Sequence, residues 1–158
     1  MVRMTHNNLK LTAKIALYQP DIPQNTASII RTCSCLGIKL EIIEPCGFTF
    51  QDKRFRRVMM DYLDEKMIKI YENSDQFFKA KKDTRIILMT TKAKDSFKSF
   101  RMKKNDTFLF GRESAGVPES IHYKVDKRLT IPMLKKKRSL NLSTTVSMVV
   151  AKIILQPN

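Results

Sequence analysis

The sequence predicts an α/β domain in which a mostly parallel sheet is flanked by helices. Short apolar runs rich in Ile, Leu and Val alternate with segments of helical periodicity, and strands that are apolar on both faces are typical of parallel sheets covered by helices. The chain of 158 residues is 42% hydrophobic, which is enough for a core without disulfides or metal. We expect a single domain over residues 1–158, with residues 1–12 as a flexible tail.

Six apolar runs are the candidate strands. Their residues are Ile15–Tyr18, Ile38–Ile43, Met67–Tyr71, Ile86–Met89, Thr107–Phe110 and Arg128–Ile131. Each run has the length and the β-branched content of a buried strand.

Helical patterns lie between these runs. The first predicted helix covers residues 25–36, where Asn25 can cap the start, apolar residues at helical spacing line one face, and Gly37 can end it. Further helices are predicted over Asp52–Met60, over Ser74–Lys81 and in the carboxy-terminal segment.

The charge balance indicates a polyanionic partner. Thirty Lys and Arg stand against fifteen Asp and Glu, for a net charge of +15, and such a field attracts nucleic acid or an anionic membrane. Nucleic acid is favoured because no basic amphipathic helix with an aromatic belt is visible. The three cysteines lack metal-ligand spacing and no apolar run reaches the length of a membrane span. We therefore expect a cytoplasmic protein with free thiols and without metal.

Parallel α/β domains bind ligands at the carboxyl ends of their strands, and three predicted loops there contain unusual residues. They are QPDIPQNTASIIR after the first strand, GRESAGVPES after the fifth and PMLKKKRSLN after the sixth. Neither GxGxxG nor GxxxxGK[ST] occurs in the chain, so a Rossmann dinucleotide site and a P-loop are both disfavoured.

Two of these loops contain residues with a possible chemical role. Gly111 would let backbone groups approach a flat ligand, and Glu113 is either an exposed turn carboxylate or an acceptor for a cationic or hydroxyl group. Asn25 is either a helix cap or a ligand-binding amide. Arg31 begins a stretch without other charges, and its planar fork suits a phosphate or a developing oxyanion.

Two basic clusters are candidates for contact with RNA. One is the run Lys135–Arg138, which is either a solvated surface or a set of phosphate contacts. The other lies in DKRFRRVMMDY, where Lys53, Arg54 and Arg57 share one helical surface. These charges serve either solubility or the RNA backbone, and Phe55 between them is a core candidate.

The three loops together resemble the three motifs of the SpoU-like branch of the SPOUT methyltransferases. The matching segments are residues 25–31, FGRESAGVP at 110–118, and IPM followed by RSLNLS within 131–143. The segments IIEPCGF and DKRFRRVMMDY are similar to the smallest members of that branch, which methylate the wobble nucleotide of certain tRNAs. The resemblance covers nearly the whole chain.

The resemblance implies an S-adenosylmethionine-dependent homodimer with a carboxy-terminal trefoil knot and with residues from both subunits at each site. The residues that it places at the cofactor are Met89, Gly111, Ile131 and Ser139. Those that it places at the substrate and the chemistry are Asn25, Arg31, Glu113, Ser139 and Asn141. We assign RNA contact to Arg54, Arg57, Lys136 and Arg138.

The implied reaction is methyl transfer to the ribose 2′-hydroxyl of the wobble nucleotide of tRNA, position 34, which is cytidine or uridine. Arg31 is the family's usual candidate base, but a guanidinium keeps its proton in proteins. We therefore assign it to the forming alkoxide and the adjacent phosphate. Two alternatives are the same chemistry on ribosomal RNA and an RNA-binding protein without activity. The chain departs from the family at Ala151-Lys152, where a Tyr-Glu pair is common.

The last helix has two apolar faces. Leu142, Val146, Val149, Val150 and Ile153 lie on one face, and Met148, Ala151 and Leu155 lie on the other. Because one core-facing side cannot bury both, we expect a second copy of the chain to cover the second face.

Overall fold

The computed structural model describes residues 13–59, 62 and 66–156. In chain order its elements are β1 (Lys14–Tyr18), α1 (Pro23–Leu36), β2 (Leu40–Ile43), α2 (Lys53–Met59), β3 (Ile68–Tyr71), α3 (Ser74–Ala80), β4 (Ile86–Met89), β5 (Thr107–Phe110), α4 (Glu119–His122), β6 (Lys127–Leu129) and α5 (Leu142–Leu155). A 3-10 turn at Phe97–Ser99 lies between β4 and β5.

The strands form one sheet in the order β3-β2-β1-β5-β4-β6. All five neighbouring pairs are parallel, which confirms the predicted α/β class. The chain proceeds from β1 outward to β3 and then continues on the other side of β1. The order reverses between β1 and β5, and α/β domains generally bind their ligands near such a reversal, outside the carboxyl ends of the strands.

Each face of the sheet has its own apolar core. Ile15 and Leu17 of β1 belong to one cluster, whereas Ala16 and Tyr18 belong to the other, because successive side chains of a strand point to opposite faces. Helices α1 and α5 contribute to the first cluster, and Phe77 of α3 belongs to the second. The expected core position of Phe55 is confirmed, since it is 3% exposed in the first cluster.

Of the two roles open to Asn25, helix cap or ligand-binding amide, the structure excludes the cap. Helix α1 begins at Pro23, with Ile22 at the cap position and no side-chain cap. A proline at the start of a helix needs no such help, because its φ is already helical and its missing N–H leaves one donor fewer to satisfy. Asn25 therefore lies in the first turn with its amide free to make other contacts. The predicted end at Gly37 is confirmed by its left-handed φ of 68°.

Other predicted boundaries agree with the structure or move by one or two residues. Strand β6 ends at Leu129 rather than Ile131, because the next residue, Thr130, turns to pair with Ser96. The single-turn helix α4 had no sequence prediction. The predicted tail, residues 1–12, and the last residue of the predicted second helix, Met60, lie outside the described residues. The trefoil knot stays a prediction.

A buried ion pair joins the end of α3 to the sheet. The ammonium of Lys81 contacts Glu41 and donates to Thr107 Oγ1 at 3.2 Å, and the hydroxyl of Tyr71 donates to Glu41 at 3.3 Å. Burial lowers the pKa of Lys81, and burial together with the Glu41 carboxylate raises the pKa of Tyr71 to about 12. Nothing in the sequence pattern indicated this pair, because a lysine at the end of a helix is usually solvated.

Candidate active site

A cleft of about 450 Å³ lies at the carboxyl ends of β4 and β5, between the loops that follow β1, β5 and β6 and the start of α5. All four residues that the sequence assigned to the cofactor line this cleft: Met89, Gly111, Ile131 and Ser139. Met89 is buried, Gly111 and Ile131 are half-buried, and Ser139 is exposed. Residues far apart in the sequence thus meet at one site.

Gly111 stands where no side chain fits. A Cβ atom built there would lie 2.5 Å from the carbonyl carbon of Gly116 and 2.6 Å from its Cα. The approach is close because the backbones of Arg112 and Gly116 exchange two hydrogen bonds, of 3.0 and 2.9 Å, across a tight turn. Gly116 itself has a φ of 66°, which favours glycine. The turn therefore presents backbone rather than side chain to this part of the cleft.

A chain of hydrogen bonds joins the three motif loops. The side chain of Asn25 donates to Glu113 Oε1 at 3.2 Å and accepts from the amide of Asn141 at 3.1 Å. Glu113 Oε2 accepts from the backbone N–H of Asp21 at 2.7 Å. Asn141 caps α5 by accepting from the N–H groups of Ser143 and Thr144. Three residues predicted from separate motifs are therefore mutually oriented.

The sequence interpretation missed a second link between the same loops. Asp21 Oδ1 accepts from Arg112 at 2.7 and 3.1 Å, and Oδ2 accepts from the N–H and hydroxyl of Ser114. The hydrogen bond from Arg112 holds the pKa of Asp21 below its usual value. Asp21 is the only acid in the first loop and Arg112 stands beside Glu113, so opposite charges in adjacent loops were the available signal.

Arg31 lies outside the cleft. It follows Asn25 by six residues, a rise of about 9 Å and a turn of about 120° around the helix axis, so the two side chains leave α1 on different sides. Arg31 is exposed, and its guanidinium lies 5.2 Å from the ring centroid of Tyr62. The structure thus brings Asn25, Glu113, Ser139 and Asn141 together within one chain and places Arg31 elsewhere.

Three of the four predicted RNA-binding cations, Arg57, Lys136 and Arg138, also lie outside the cleft lining. Lys136 and Arg138 are exposed in the loop that leads to Ser139, and Arg57 is exposed on α2. Arg54 belongs to α2, but its side chain is outside the described part of the structure.

The structure contains no disulfide among the described cysteines. Cys33 is buried, Cys46 is half-buried and Cys35 is exposed, and burial raises the pKa of Cys33 and Cys46 to about 12. Within the described ranges, no three His, Cys, Asp or Glu residues are grouped as metal ligands. None of the helices in those ranges is long and apolar enough to cross a bilayer.

Fold and cleft define an α/β ligand-binding domain whose site lies at the carboxyl ends of β4 and β5, next to the reversal of strand order. The model of the SpoU rRNA Methylase family matches residues 12–151 of the chain. The chain belongs to this family.

Named relatives and a solved structure agree with this membership. The chain is 42% identical over 144 residues to the tRNA (cytidine(34)-2′-O)-methyltransferase of Beijerinckia indica subsp. indica, over 90% of each chain. It is 38% identical over 138 residues to the Escherichia coli enzyme of that name, over 86% of this chain and 88% of the other. A structure concerning 2-OH methylation of cytidine or uridine 34 on tRNA has a TM-score of 0.83 and 31% identity, and covers 89% of this chain and 93% of the other. The family predicted from the motifs is confirmed.

Proposed function

We propose that the protein transfers a methyl group from S-adenosylmethionine to the ribose 2′-hydroxyl of nucleotide 34 of tRNA. The observation that carries this proposal is the 42% identity, over 90% of each chain, to an enzyme named for that reaction on cytidine 34. Cytidine is therefore the first substrate to test and uridine the second. Ribosomal RNA is the other candidate, because the family description names it.

The cleft suits the cofactor by shape and by polarity. Its walls combine apolar side chains, among them Met89, Val117 and Ile131, with the backbone of the Gly111 turn. A mostly apolar pocket with a few convergent polar groups is typical of a cofactor site. S-adenosylmethionine supplies a methyl group that is already activated for transfer. The protein must therefore hold the two reactants in line and stabilise the ribose oxygen as it loses its proton.

The polar residues divide this task. Glu113 orients the amide of Asn25 and Asn25 orients that of Asn141, so both amides are set before the substrate arrives. Ser139 lines the same cleft and its hydroxyl has no hydrogen bond to another described residue, which leaves it available to a ligand. We assign these side chains to holding ribose and cofactor.

Arg31 would complete the site from a second subunit. Its exposed position outside its own cleft, with the guanidinium over the ring of Tyr62, supports a role on the RNA side. A guanidinium placed there by the partner would stabilise the forming alkoxide and bind the neighbouring phosphate. Lys136, Arg138, Arg54 and Arg57 would contact the RNA backbone further out. An enzyme of tRNA would act in the cytoplasm.

Helix α5 offers the surface for such a dimer. Val146, Val149 and Val150 are wholly buried in the chain's own core, but Met148 is 43% exposed and Leu155 is 75% exposed on the opposite side. A second copy that covers this face would bury the apolar surface that remains in water.

We expect the double substitution Met148→Asp and Leu155→Asp to convert a dimer into a folded monomer. Both side chains are exposed in the single chain, so the charges cost little there but several kcal/mol in a dry apolar contact. Sedimentation at micromolar concentration measures the change. Val149→Asp is the contrasting variant and should unfold the chain itself. A wild-type monomer, or a double variant that stays dimeric, would place the interface elsewhere.

Methyl transfer from labelled S-adenosylmethionine tests the proposed reaction. The purified protein is incubated separately with tRNA and with ribosomal RNA from a strain that lacks its gene, and 2′-O-methylated positions are then mapped. Label at nucleotide 34 of tRNA is expected. Label in ribosomal RNA alone would favour the second candidate, and RNA binding without label in either would indicate a protein that has lost its activity.

A further inference from the structure

A concentration of positive charge lies on segments that the motifs do not include. Residues 92–104 contain six cations and one acid, and residues 123–128 contain three cations and one acid. These nineteen residues therefore account for nearly half of the net charge of +15. The acid of the second segment is already engaged, because Asp126 accepts from the backbone N–H of Ile86 at 2.7 Å.

The fold brings the two segments together along β6, the edge strand of the sheet. Ser96 bridges to Thr130, and the N–H of Phe97 donates to the carbonyl of Thr130 at 2.8 Å. A groove of about 460 Å³ runs between the segments, and the cations Arg101, Lys103 and Lys127 are among its lining residues.

The groove also offers groups other than cations. Ser96 and Ser99 line it, as do one acid, Asp95, and Phe100, whose ring centroid lies 5.0 Å from the guanidinium carbon of Arg85. The lining cations outnumber this acid by four to one. Hydroxyls and arginine or lysine side chains are the usual ligands of nucleic-acid phosphates.

Helix α5 holds one wall of the groove in place. Lys152 Nζ donates to the carbonyls of Phe97 at 2.6 Å and Lys98 at 3.1 Å, and the side-chain amide of Gln156 exchanges hydrogen bonds of 3.4 and 3.5 Å with the backbone of Met102. These contacts fix the segment at the 3-10 turn and again at Met102, three residues after it. A wall that is already ordered loses little entropy when a ligand binds.

The groove adjoins the candidate active site. Leu129 lines the groove, and the next residue, Thr130, lines the cleft. We propose that this groove binds the phosphate backbone of the RNA strand whose nucleotide enters the cleft. The nature of that strand rests on the proposed function, whereas the binding of RNA phosphates at this place does not.

Protection of the sheet edge explains only part of the charge. Lysines on edge strands prevent pairing with other chains, which accounts for Lys127 and Arg128 on β6. Arg101 and Lys103 lie on the neighbouring segment and not on the strand, yet they line the same groove. Convergence of cations from two segments is what a phosphate site requires.

The test is the triple variant Arg101→Gln, Lys103→Gln and Lys127→Gln, compared with Lys39→Gln, Lys66→Gln and Lys69→Gln. The control removes the same charge near the amino ends of β2 and β3, and β3 is five strand spacings, about 24 Å, from β6. Fluorescence anisotropy with a tRNA anticodon stem-loop is measured over a salt series. The groove variant should lower the slope of log affinity against log salt by about 2, since each single-strand phosphate contact contributes about 0.7. Equal slopes for the two variants would overturn the proposal.

Kinetics separate the failure of this proposal from failure of the proposed function. The groove variant should raise KM for tRNA and keep kcat, while cofactor titration and thermal melting stay as in the wild type. If the wild type methylates no tRNA but the salt slopes of the two variants still differ, the proposed RNA contact at the groove is supported and the proposed reaction is refuted. If the wild type is active and the groove variant has an unchanged KM, the reaction stands and the groove is refuted.

Discussion

Replacing Arg31 with alanine is expected to lower kcat for methyl transfer by about 10²- to 10³-fold. This is the usual effect of removing one group that stabilises a developing oxyanion. Binding of S-adenosylmethionine should remain unchanged, because Arg31 does not line the cleft that contains the predicted cofactor residues. Single-turnover methyl transfer and calorimetric titration with the cofactor measure the two effects. Loss of cofactor binding in Arg31→Ala would refute its assignment to the RNA side.

A mixed dimer distinguishes action within one subunit from action across the interface. The Arg31→Ala protein is mixed with the Gly111→Ala protein, each of which is expected to be inactive by itself. If Arg31 serves the partner's cleft, one of the two sites in a mixed dimer has both an intact arginine and an intact cleft. Random exchange of subunits should then restore about a quarter of the wild-type activity. No restoration, with mixed dimers demonstrated, would place Arg31 at the cleft of its own chain.

Gly111→Ala is expected to abolish cofactor binding. The added methyl would lie 2.5 Å from backbone atoms of Gly116, and because backbone cannot move aside as a flexible side chain does, the turn that lines the cleft must shift. We expect a loss of at least about 100-fold in affinity for S-adenosylmethionine, equivalent to about 3 kcal/mol. Calorimetric titration measures the affinity, and circular dichroism checks that the sheet is retained.

Gly116→Ala is the matched control for this prediction. A Cβ there meets no heavy atom within 4 Å, so its main cost is the strain of a left-handed backbone with φ of 66°, about 1 to 2 kcal/mol. That cost should appear as a lower melting temperature with a smaller loss of affinity. Equal losses in the two variants would show that conformational strain, and not the close approach at Gly111, controls the turn.

Local patterns in the sequence determined the order of the strands along the chain and the places where they end. Six apolar runs identified β1 to β6 within a few residues, because a strand covered on both faces must be apolar throughout. The predicted strand ends were enough to identify the loops after β1, β5 and β6 as candidates for the ligand site, and all three line the cleft. The four cofactor positions came from the resemblance, which is carried by short motifs, and all four meet in the structure.

Contacts between distant segments decided the rest. Asn25 is a residue type that commonly caps helices, but α1 begins at Pro23 without a side-chain cap. The amide of Asn25 instead forms hydrogen bonds with Glu113 and Asn141, which are 88 and 116 residues away in the sequence. The Asp21–Arg112 link and the buried Lys81–Glu41 pair are likewise long-range. A helical or alternating pattern records which face of an element is apolar, and it contains no information on which polar groups meet once the elements pack.

The sequence by itself determined that the chain is a basic α/β domain of the SpoU type with a ligand site at its strand ends, because hydrophobic period, charge and short motifs are local properties. Only the tertiary structure decided which side of α1 faces the cleft, so that Arg31 lies outside it, and that Arg101, Lys103 and Lys127 line one groove next to the cleft. Helical spacing fixes the angle between Arg31 and Asn25, but which side of α1 faces the cleft depends on how the helix packs on the sheet, and the meeting of two loops depends on the sheet order. Both are settled only when the whole chain packs.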